Sequence, residues 1–300
     1  IDILEFLKNN TKSYRRYGNV ILPQKVNSTL AQFLGYFTGD GNFEEDRITF
    51  SEQDKYVALY YKNKFKKFFK IDANYRFRNK KNYHQIRFTS RPLVRFIKEE
   101  FQEIKSKTHS GVPSKISMSD DKVVAKYLKG LFDAEGYVSN DSIGIASINK
   151  TLISQMQLLL LRFSIISSFF EWDNRNNPYS KKPIFKLRIT EKQSITDFKK
   201  FIDFTSKKKS KHLDFLIKNK KDKSSVRQIL PMGKEIKQII KNYNHKFARF
   251  GVSGFLSGNG MISKHVFKTS ILNKVKNKDL YYELVKIYNS ALLPVKISKI

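Results

Sequence analysis

A chain of 300 residues with 40% hydrophobic side chains, 25 Phe and 15 Tyr among them, has ample material for a packed core; intrinsic disorder is excluded, and the length allows one large domain or two ordinary ones. Its 58 basic residues against 27 acidic ones leave a net charge of +31, a field that favours an extended polyanion. Zero cysteines exclude disulfides and zinc knuckles, the longest purely apolar stretch (Leu158 to Leu161) is far too short for a membrane helix, and Asp2 and Glu5 are out of place in a cleavable signal peptide.

In chain order, residues 1–28 read as a short helix and a loop. Leu30-Ala-Gln-Phe-Leu-Gly-Tyr-Phe-Thr-Gly-Asp-Gly41 is an apolar helix that stops at Gly41, an ordinary glycine position just past a helix end. A polar turn, Asn42 to Asp46, precedes a strand over Arg47 to Phe50. Ser51 and Asp54 have capping-box spacing for the next helix, where Val57, Tyr60, Tyr61, Phe65 and Phe68 recur at helical period. Tyr75-Arg-Phe-Arg78 and Gln85-Ile-Arg-Phe88 alternate around a turn at Asn79 to Asn82 and predict a hairpin, after which Pro92 opens a helix to about Ile104.

The same programme restarts with a helix from Asp121 to Gly136, a strand over roughly Tyr137 to Ser147, a helix holding Leu152, Met156, Leu159 and Phe163, strands near Phe169 to Trp172 and Ile184 to Thr190, and a helix to Phe204. The repeat is about 95 residues, and each half reads α-β-α-β-β-α with room for one extra strand. A Lys-rich run follows (Lys207, Lys208, Lys209, Lys211, Lys218, Lys220, Lys221, Lys223), which repels itself unless an anion is near. Beyond Pro231 the sequence predicts helices over Lys234 to Asn244, Lys264 to Val275 and Asp279 to Ala291, around a Gly/Ser-rich turn from Gly251 to Gly260.

Asp40 and Glu135 occupy the last turn of the two equivalent helices, where a carboxylate faces the negative end of the helix dipole. Gly35 and Gly39, and Gly130 and Ala134, lie four apart on one face of each helix and permit a close backbone crossing that brings the two acids together. Two such carboxylates are tolerable only with a shared proton or a cation, and oxygen donors without sulfur suit a hard one: Mg²⁺, with Mn²⁺ or Ca²⁺ able to substitute.

Phe33-Leu-Gly-Tyr-Phe-Thr-Gly-Asp-Gly41 and Leu128-Lys-Gly-Leu-Phe-Asp-Ala-Glu-Gly136 resemble the two motifs of a monomeric LAGLIDADG homing endonuclease. The first departs from the pattern with Thr38-Gly39 where Asp-Ala is usual. The resemblance covers residues 28 to about 205. It implies an α+β class, a pseudo-twofold duplicated α-β-β-α-β-β-α fold with two saddle-shaped antiparallel sheets, here with a small, mainly helical C-terminal domain. It further implies that Asp40 and Glu135 ligate metal, helped by the carbonyls of Gly39 and Ala134, in hydrolysis of DNA phosphodiesters across the minor groove. Ser51 and Ser147 stand where the family often has water-orienting Gln or Asn, and no lysine can be placed beside the acids from the sequence.

The strand residues Arg76, Arg78, Gln85 and Arg87 alternate outward in the first half, with Asn42 and Arg47 beside Asp40; Tyr137, Ser139, Lys186 and Arg188 take the corresponding places in the second. Arg and Gln can read guanine and adenine edges, and Lys207, Lys209 and Lys211 would grip phosphates. The expected organisation is an N-terminal extension (1–28), two halves (29–115 and 116–206), a Lys-rich linker (207–226) and a helical, DNA-binding domain (227–300). The expected partner is double-stranded DNA with a long asymmetric site, engaged by a monomer without membrane contact, in an archaeal cytoplasm or an organelle matrix. An intron-RNA-binding maturase and a DNA-binding regulator are the rival readings on the same fold, and both intact acids favour cleavage over either.

The five His show no metal-ligand spacing, Trp172 and the Phe residues read as core, and Gly254 to Gly260 is no phosphate loop. Ile1 to Leu7 ahead of Leu22-Pro, Arg227 to Gly233 and Leu293 to Ile300 are similar to segments that flank endonucleases inside archaeal inteins. The first residue and the ending lack the groups protein splicing needs, so no self-splicing is expected.

Overall fold

The computed structural model describes residues 20–105, 110–174, 182–220, 229–230, 232–244 and 250–289. The extension before residue 20, His109, His245, Arg227, Gln228 and Pro231 of the stretch from Arg227 to Gly233, and the ending from Leu293 lie outside them. The chain divides into two compact units, Ile1–Lys221 and Asp222–Ile300.

The first unit contains the same run of elements twice. In the first half these are α1 (Ser28–Asp40), β1 (Gly41–Phe43), β2 (Arg47–Glu52), α2 (Lys55–Phe69), β3 (Ala73–Arg78), β4 (Tyr83–Thr89) and α3 (Arg91–Glu100). One helical turn, α4 (Ser114–Ser117), leads to the second half: α5 (Asp121–Glu135), β5 (Gly136–Val138), β6 (Ile143–Ser147), α6 (Lys150–Leu161), β7 (Ser168–Trp172), β8 (Ile184–Ile189) and α7 (Lys192–Phe201). The strands make two four-stranded antiparallel sheets of equivalent order, β1-β2-β4-β3 and β5-β6-β8-β7, so the class is α+β with a duplicated α-β-β-α-β-β-α order. The strand missing from the simpler sequence pattern is β1 in one half and β5 in the other; at three residues each, neither shows a legible alternation.

Helix starts are set by side chains that accept otherwise unpaired amides. Asn27 accepts from Thr29 and Leu30 (both 3.0 Å), Asp120 from Val123 (2.8 Å), and Asn149 from Leu152 (3.1 Å). At α2 the cap is Asp54, accepting from Tyr56 at 2.9 Å, while Ser51 sits inside β2 and takes no part; the expected capping box is therefore displaced by three residues. Pro92 lies in the first turn of α3, which ends at Glu100 rather than near Ile104.

The inward faces of the sheets bury alternate residues, Ile48, Phe50, Ile86 and Phe88 in one half and Ile143, Ile145, Leu187 and Ile189 in the other. Phe33 meets Phe50, Phe65 and Phe69 edge to face at 4.8 to 5.7 Å, an arrangement worth about 0.5–1.5 kcal/mol per pair beyond burial. The Phe residues expected inside are mostly there. Trp172 is not: 57% of it is exposed on β7, an edge strand.

The Lys-rich run does not form a linker over residues 207–219. It is a helix, α8 (Lys207–Asn219), capped by Ser206 and packed on the core through Leu213 and Leu216. The second unit contains β9 (Ile229–Leu230), α9 (Gly233–Asn242), α10 (Ser253–Leu256), β10 (Ile262–Ser263), α11 (Lys264–Ser270) and α12 (Lys278–Asn289). It is mainly helical, with a two-residue antiparallel pair β9–β10 and its own core around Ile236, Ile240, Phe255, Phe267, Leu280 and Leu284.

Candidate active site and nucleic-acid interface

The contact between α1 and α5 is made backbone to backbone. A Cβ placed on Gly35 would fall on the Tyr127 carbonyl, and one on Gly130 would fall on the Gln32 carbonyl and 2.6 Å from the Tyr36 nitrogen. A Cβ on Gly39 would lie 2.6 Å from the Ala134 Cβ and 3.1 Å from the Glu135 Cγ. The small residues thus let the helices touch, and the side chain of Glu135 lies against the residue that precedes Asp40. Both acids are half-buried helix-terminal residues, and each helix runs straight into a strand. Gly41 and Gly136 are not the left-handed glycines expected past a helix end: their φ is −80°. They are glycines because a Cβ would strike Phe37 and Phe132, one turn back.

Two groups that the sequence reading did not assign to the site complete its surroundings. Lys209, on α8, donates from Nζ to the carbonyls of Asp133 (3.3 Å) and Gly136 (2.7 Å), on either side of Glu135. A lysine, which the sequence alone could not place here, therefore stands beside the last turn of α5. Its delivery depends on Asp133, which is 4% exposed and accepts from the Thr205 amide (2.7 Å), the Thr205 hydroxyl (2.6 Å) and Tyr61. Burial pushes the Asp133 carboxyl up, opposed by the Lys129 ammonium and these hydrogen bonds. Asp133 therefore ties α5 to α2 and to the turn ahead of α8. The equivalent place in α1 is taken by the neutral Thr38, which donates to the Leu34 carbonyl at 2.7 Å and receives the Tyr127 hydroxyl at 3.3 Å. The second group is Glu52, at the end of β2, which accepts from Tyr36 (2.7 Å) and from the Asp54 amide (2.9 Å). Tyr36 is itself held well above the usual phenol range, first by burial, then by Glu52, with a smaller contribution from Asp40. Ser147 shares a cleft of about 270 Å³ with Glu135 and Gly39. Ser51 stands in β2 opposite Gln85.

The outward faces of the sheets carry most of the other expected residues. Arg76 pairs with Gln85, and Arg87 lies between Thr49 and Asn74, while His84, Ile86 and Phe88 point inward. Arg78 donates to Gln85 at 2.9 and 3.1 Å, and Arg47 to Asp46 at 2.8 Å. Arg87 Nε is buried with no hydrogen-bond partner. Asn42 stands opposite Thr49. In the second sheet Lys186 faces Ala146 and Arg188 faces Gly144, whose missing Cβ leaves room for the Tyr137 ring. Ser139 is no strand residue: it lies in the β5–β6 turn, hydrogen-bonded to Asp141 and Ser142, and Arg188 is anchored to the same two residues. Lys207 and Lys211 are exposed on α8.

Residues 122–203 match the family described as LAGLIDADG-like domain. This chain contains a LAGLIDADG-like domain. Among curated proteins, it is similar to the glutamine–fructose-6-phosphate aminotransferase (isomerizing) of Methanocaldococcus jannaschii, 32% identical over 227 residues, 74% of this chain and 20% of that protein. It is also similar to the probable translation initiation factor IF-2 of the same organism, 27% identical over 270 residues, 86% of this chain and 22% of that one. The chain thus spans about a fifth of the length of these relatives. Among solved structures it is similar to the homing endonuclease I-DmoI in complex with DNA and Mn (16% identity, TM-score 0.44, 59% of this chain and 97% of that one). Full-length DUF199/WhiA from Thermatoga maritima is another (15%, 0.46, 89% and 92%).

The LAGLIDADG-like domain spans the Glu135 arm of the site, and the donor types around it fit a hard divalent cation. Asp40 and Glu135 are oxygen donors at the ends of touching helices, in a chain that has no cysteine thiolate to offer. Among the described residues no group of three or more His, Cys, Asp or Glu gathers to hold a metal ion. Two carboxylates with water and phosphate oxygens are the usual surroundings of Mg²⁺ in phosphoryl-transfer sites. No helix among the described residues is long and apolar enough to cross a membrane.

Glu52 gives the site a pH signature. Burial raises its carboxyl above the ordinary value, against the Asp54 amide, the Tyr36 hydroxyl and the Lys209 ammonium. Such a group binds more protons folded than unfolded, so its contribution to stability is full below the unfolded value, near pH 4, and is lost as pH rises through the folded one. Glu52→Gln is therefore expected to gain stability relative to the parent between about pH 4 and about pH 7. Urea midpoints at the two pH values check this; an equal difference at both would contradict a raised carboxyl.

Proposed function

We propose that the chain is a site-specific, metal-dependent DNA endonuclease that hydrolyses phosphodiesters across the minor groove of a long, asymmetric duplex target. The observation that carries this reading is the crossing at Gly39 and Ala134, which sets Glu135 against the residue before Asp40. Their negative charges lie at the unfavourable ends of two helix dipoles, and a bound cation facing phosphate offsets both costs.

Asp40 and Glu135 would hold Mg²⁺, with Mn²⁺ or Ca²⁺ able to substitute, and the carbonyls of Gly39 and Ala134 would assist. Bound there, the ion supplies a Lewis acid and a more acidic water. Lys209 lies where it can stabilise charge growing on the phosphate, and Asp133, through Thr205, fixes the helix that carries it. Ser147 opens on the same cleft and can orient water. The two sheets straddle the duplex, with Arg76, Arg78, Gln85 and Arg87 on one half-site and Lys186 and Arg188 on the other. Arg87 Nε, buried without a partner, gains one on binding. Exposed lysines of α8 contact phosphates, as do those of the second unit, such as Lys268, Lys274 and Lys276. Both half-sites are served by one chain, so a monomer suffices.

The relatives add an origin. An aminotransferase and an initiation factor have no named activity in common, and the part each shares with this chain is about a fifth of its length. A mobile insert, the nuclease of an intein, accounts for a shared segment in unrelated hosts.

The test is selection of cleavable sites from a randomised duplex library by the full chain in Mg²⁺, with an EDTA control. A recovered asymmetric site, cut only with metal, is expected. Sequence-specific binding with no cutting would replace the nuclease by a DNA-binding regulator, and preference for structured intron RNA would replace it by a maturase.

A further inference from the structure

The two outward sheet faces differ in chemistry. That of the first half offers hydrogen-bonding groups, Arg76, Arg78, Gln85 and Arg87 among them. On the second, the register sets Phe170 beside Lys186 and Trp172 beside Ile184, while Phe169, Phe185 and Leu187 point into the core. Phe170 is 47% and Trp172 57% exposed, and the Lys186 ammonium lies 4.4 Å from the centre of the Trp172 ring. Arg188 is held by Asp141 and Ser142, and among the described residues the paired strands β6, β7 and β8 place no Asn or Gln on this face. It is therefore a cationic face with an aromatic and aliphatic strip.

We propose that this strip reads thymine 5-methyl groups in the major groove, so that the half-site bound by the second repeat is rich in T·A pairs while the other is read through purine hydrogen bonds. The inference rests on the endonuclease reading of the two sheets. The thymine methyl is the apolar feature of the major-groove base edges, and aromatic side chains are suited to contact it. The net charge of +31 and Lys186 favour a duplex as the occupant over an apolar protein surface. The Lys186 ammonium over the Trp172 ring stiffens the strip and keeps its charge toward the phosphates.

The experiment takes a duplex selected by the full chain and measures its binding in Ca²⁺ with deoxyuridine replacing thymidine in one half-site at a time. In one half-site the substitution is expected to weaken binding by about fourfold for each contacted methyl removed. In the other it should have little effect, and with Phe170→Ser and Trp172→Ser combined the penalty should disappear. A selected target indifferent to deoxyuridine in both halves would overturn the thymine proposal and leave the endonuclease reading standing. A penalty that survives the double variant would overturn the assignment to these side chains. Failure to select any duplex would sink both readings, and tighter binding of the single strand than of the duplex would replace methyl contact by base stacking.

Discussion

Replacing Asp40 by Asn or Glu135 by Gln is expected to lower the rate of DNA cleavage in Mg²⁺ by roughly 100- to 1,000-fold or more, the scale seen when a group stabilising transition-state charge is removed. Binding of the same duplex in Ca²⁺ should survive, because the sheet faces and α8 are untouched. Thermal midpoints of the metal-free variants, measured beside the cutting rates, separate a loss of chemistry from a loss of folding: both variants are expected to be fully folded at the assay temperature while they cut far less. Unchanged cleavage in both variants would remove the two acids from the mechanism.

The helices that make this pair were legible because their signals are local. Small residues four apart and an acid before a glycine stand within one heptad of each other, and the repeat doubles the evidence. The same locality hid other parts. Lys209 reaches the site from 74 residues beyond Glu135, on a helix masked by a run of lysines that reads as repulsive and unstructured. The signal that could have found it was Ser206 as a cap ahead of Leu213 and Leu216, three apart on one face. Glu52 could not be found by pattern, since only the fold sets it against Tyr36 and Lys209. Trp172 was assigned to the core by residue type, but alternation along β7 turns it outward on an edge strand, where burial preference gives way to register. Gly41 and Gly136 were placed correctly for the wrong reason: ring contact one turn back, not a left-handed backbone, demands them.

The helix crossing itself yields the other large effect. Gly130→Ala adds one methyl group, which would fall on the Gln32 carbonyl and 2.6 Å from the Tyr36 nitrogen. Both obstacles are main-chain atoms of α1, so no rotamer change can make room and the helices must move apart. Overpacking of this kind costs about 1–3 kcal/mol, outweighing the gain of up to about 1 kcal/mol that alanine brings to a helix interior. Gly254→Ala, in α10 of the second unit, is the matched control: its nearest neighbour is the Asn259 carbonyl at 3.8 Å, so that substitution should be neutral or slightly stabilising. Thermal scans of the full chain distinguish the two. Cleavage adds a second readout, because separation of α1 from α5 moves Glu135 away from the residue that precedes Asp40. At a temperature where Gly130→Ala is fully folded, its cutting rate should still fall, and raising Mg²⁺ should restore part of it if the loss is in metal affinity. Wild-type stability in Gly130→Ala would mean that the helices do not touch backbone to backbone, and the pairing of Asp40 with Glu135 would lose its foundation.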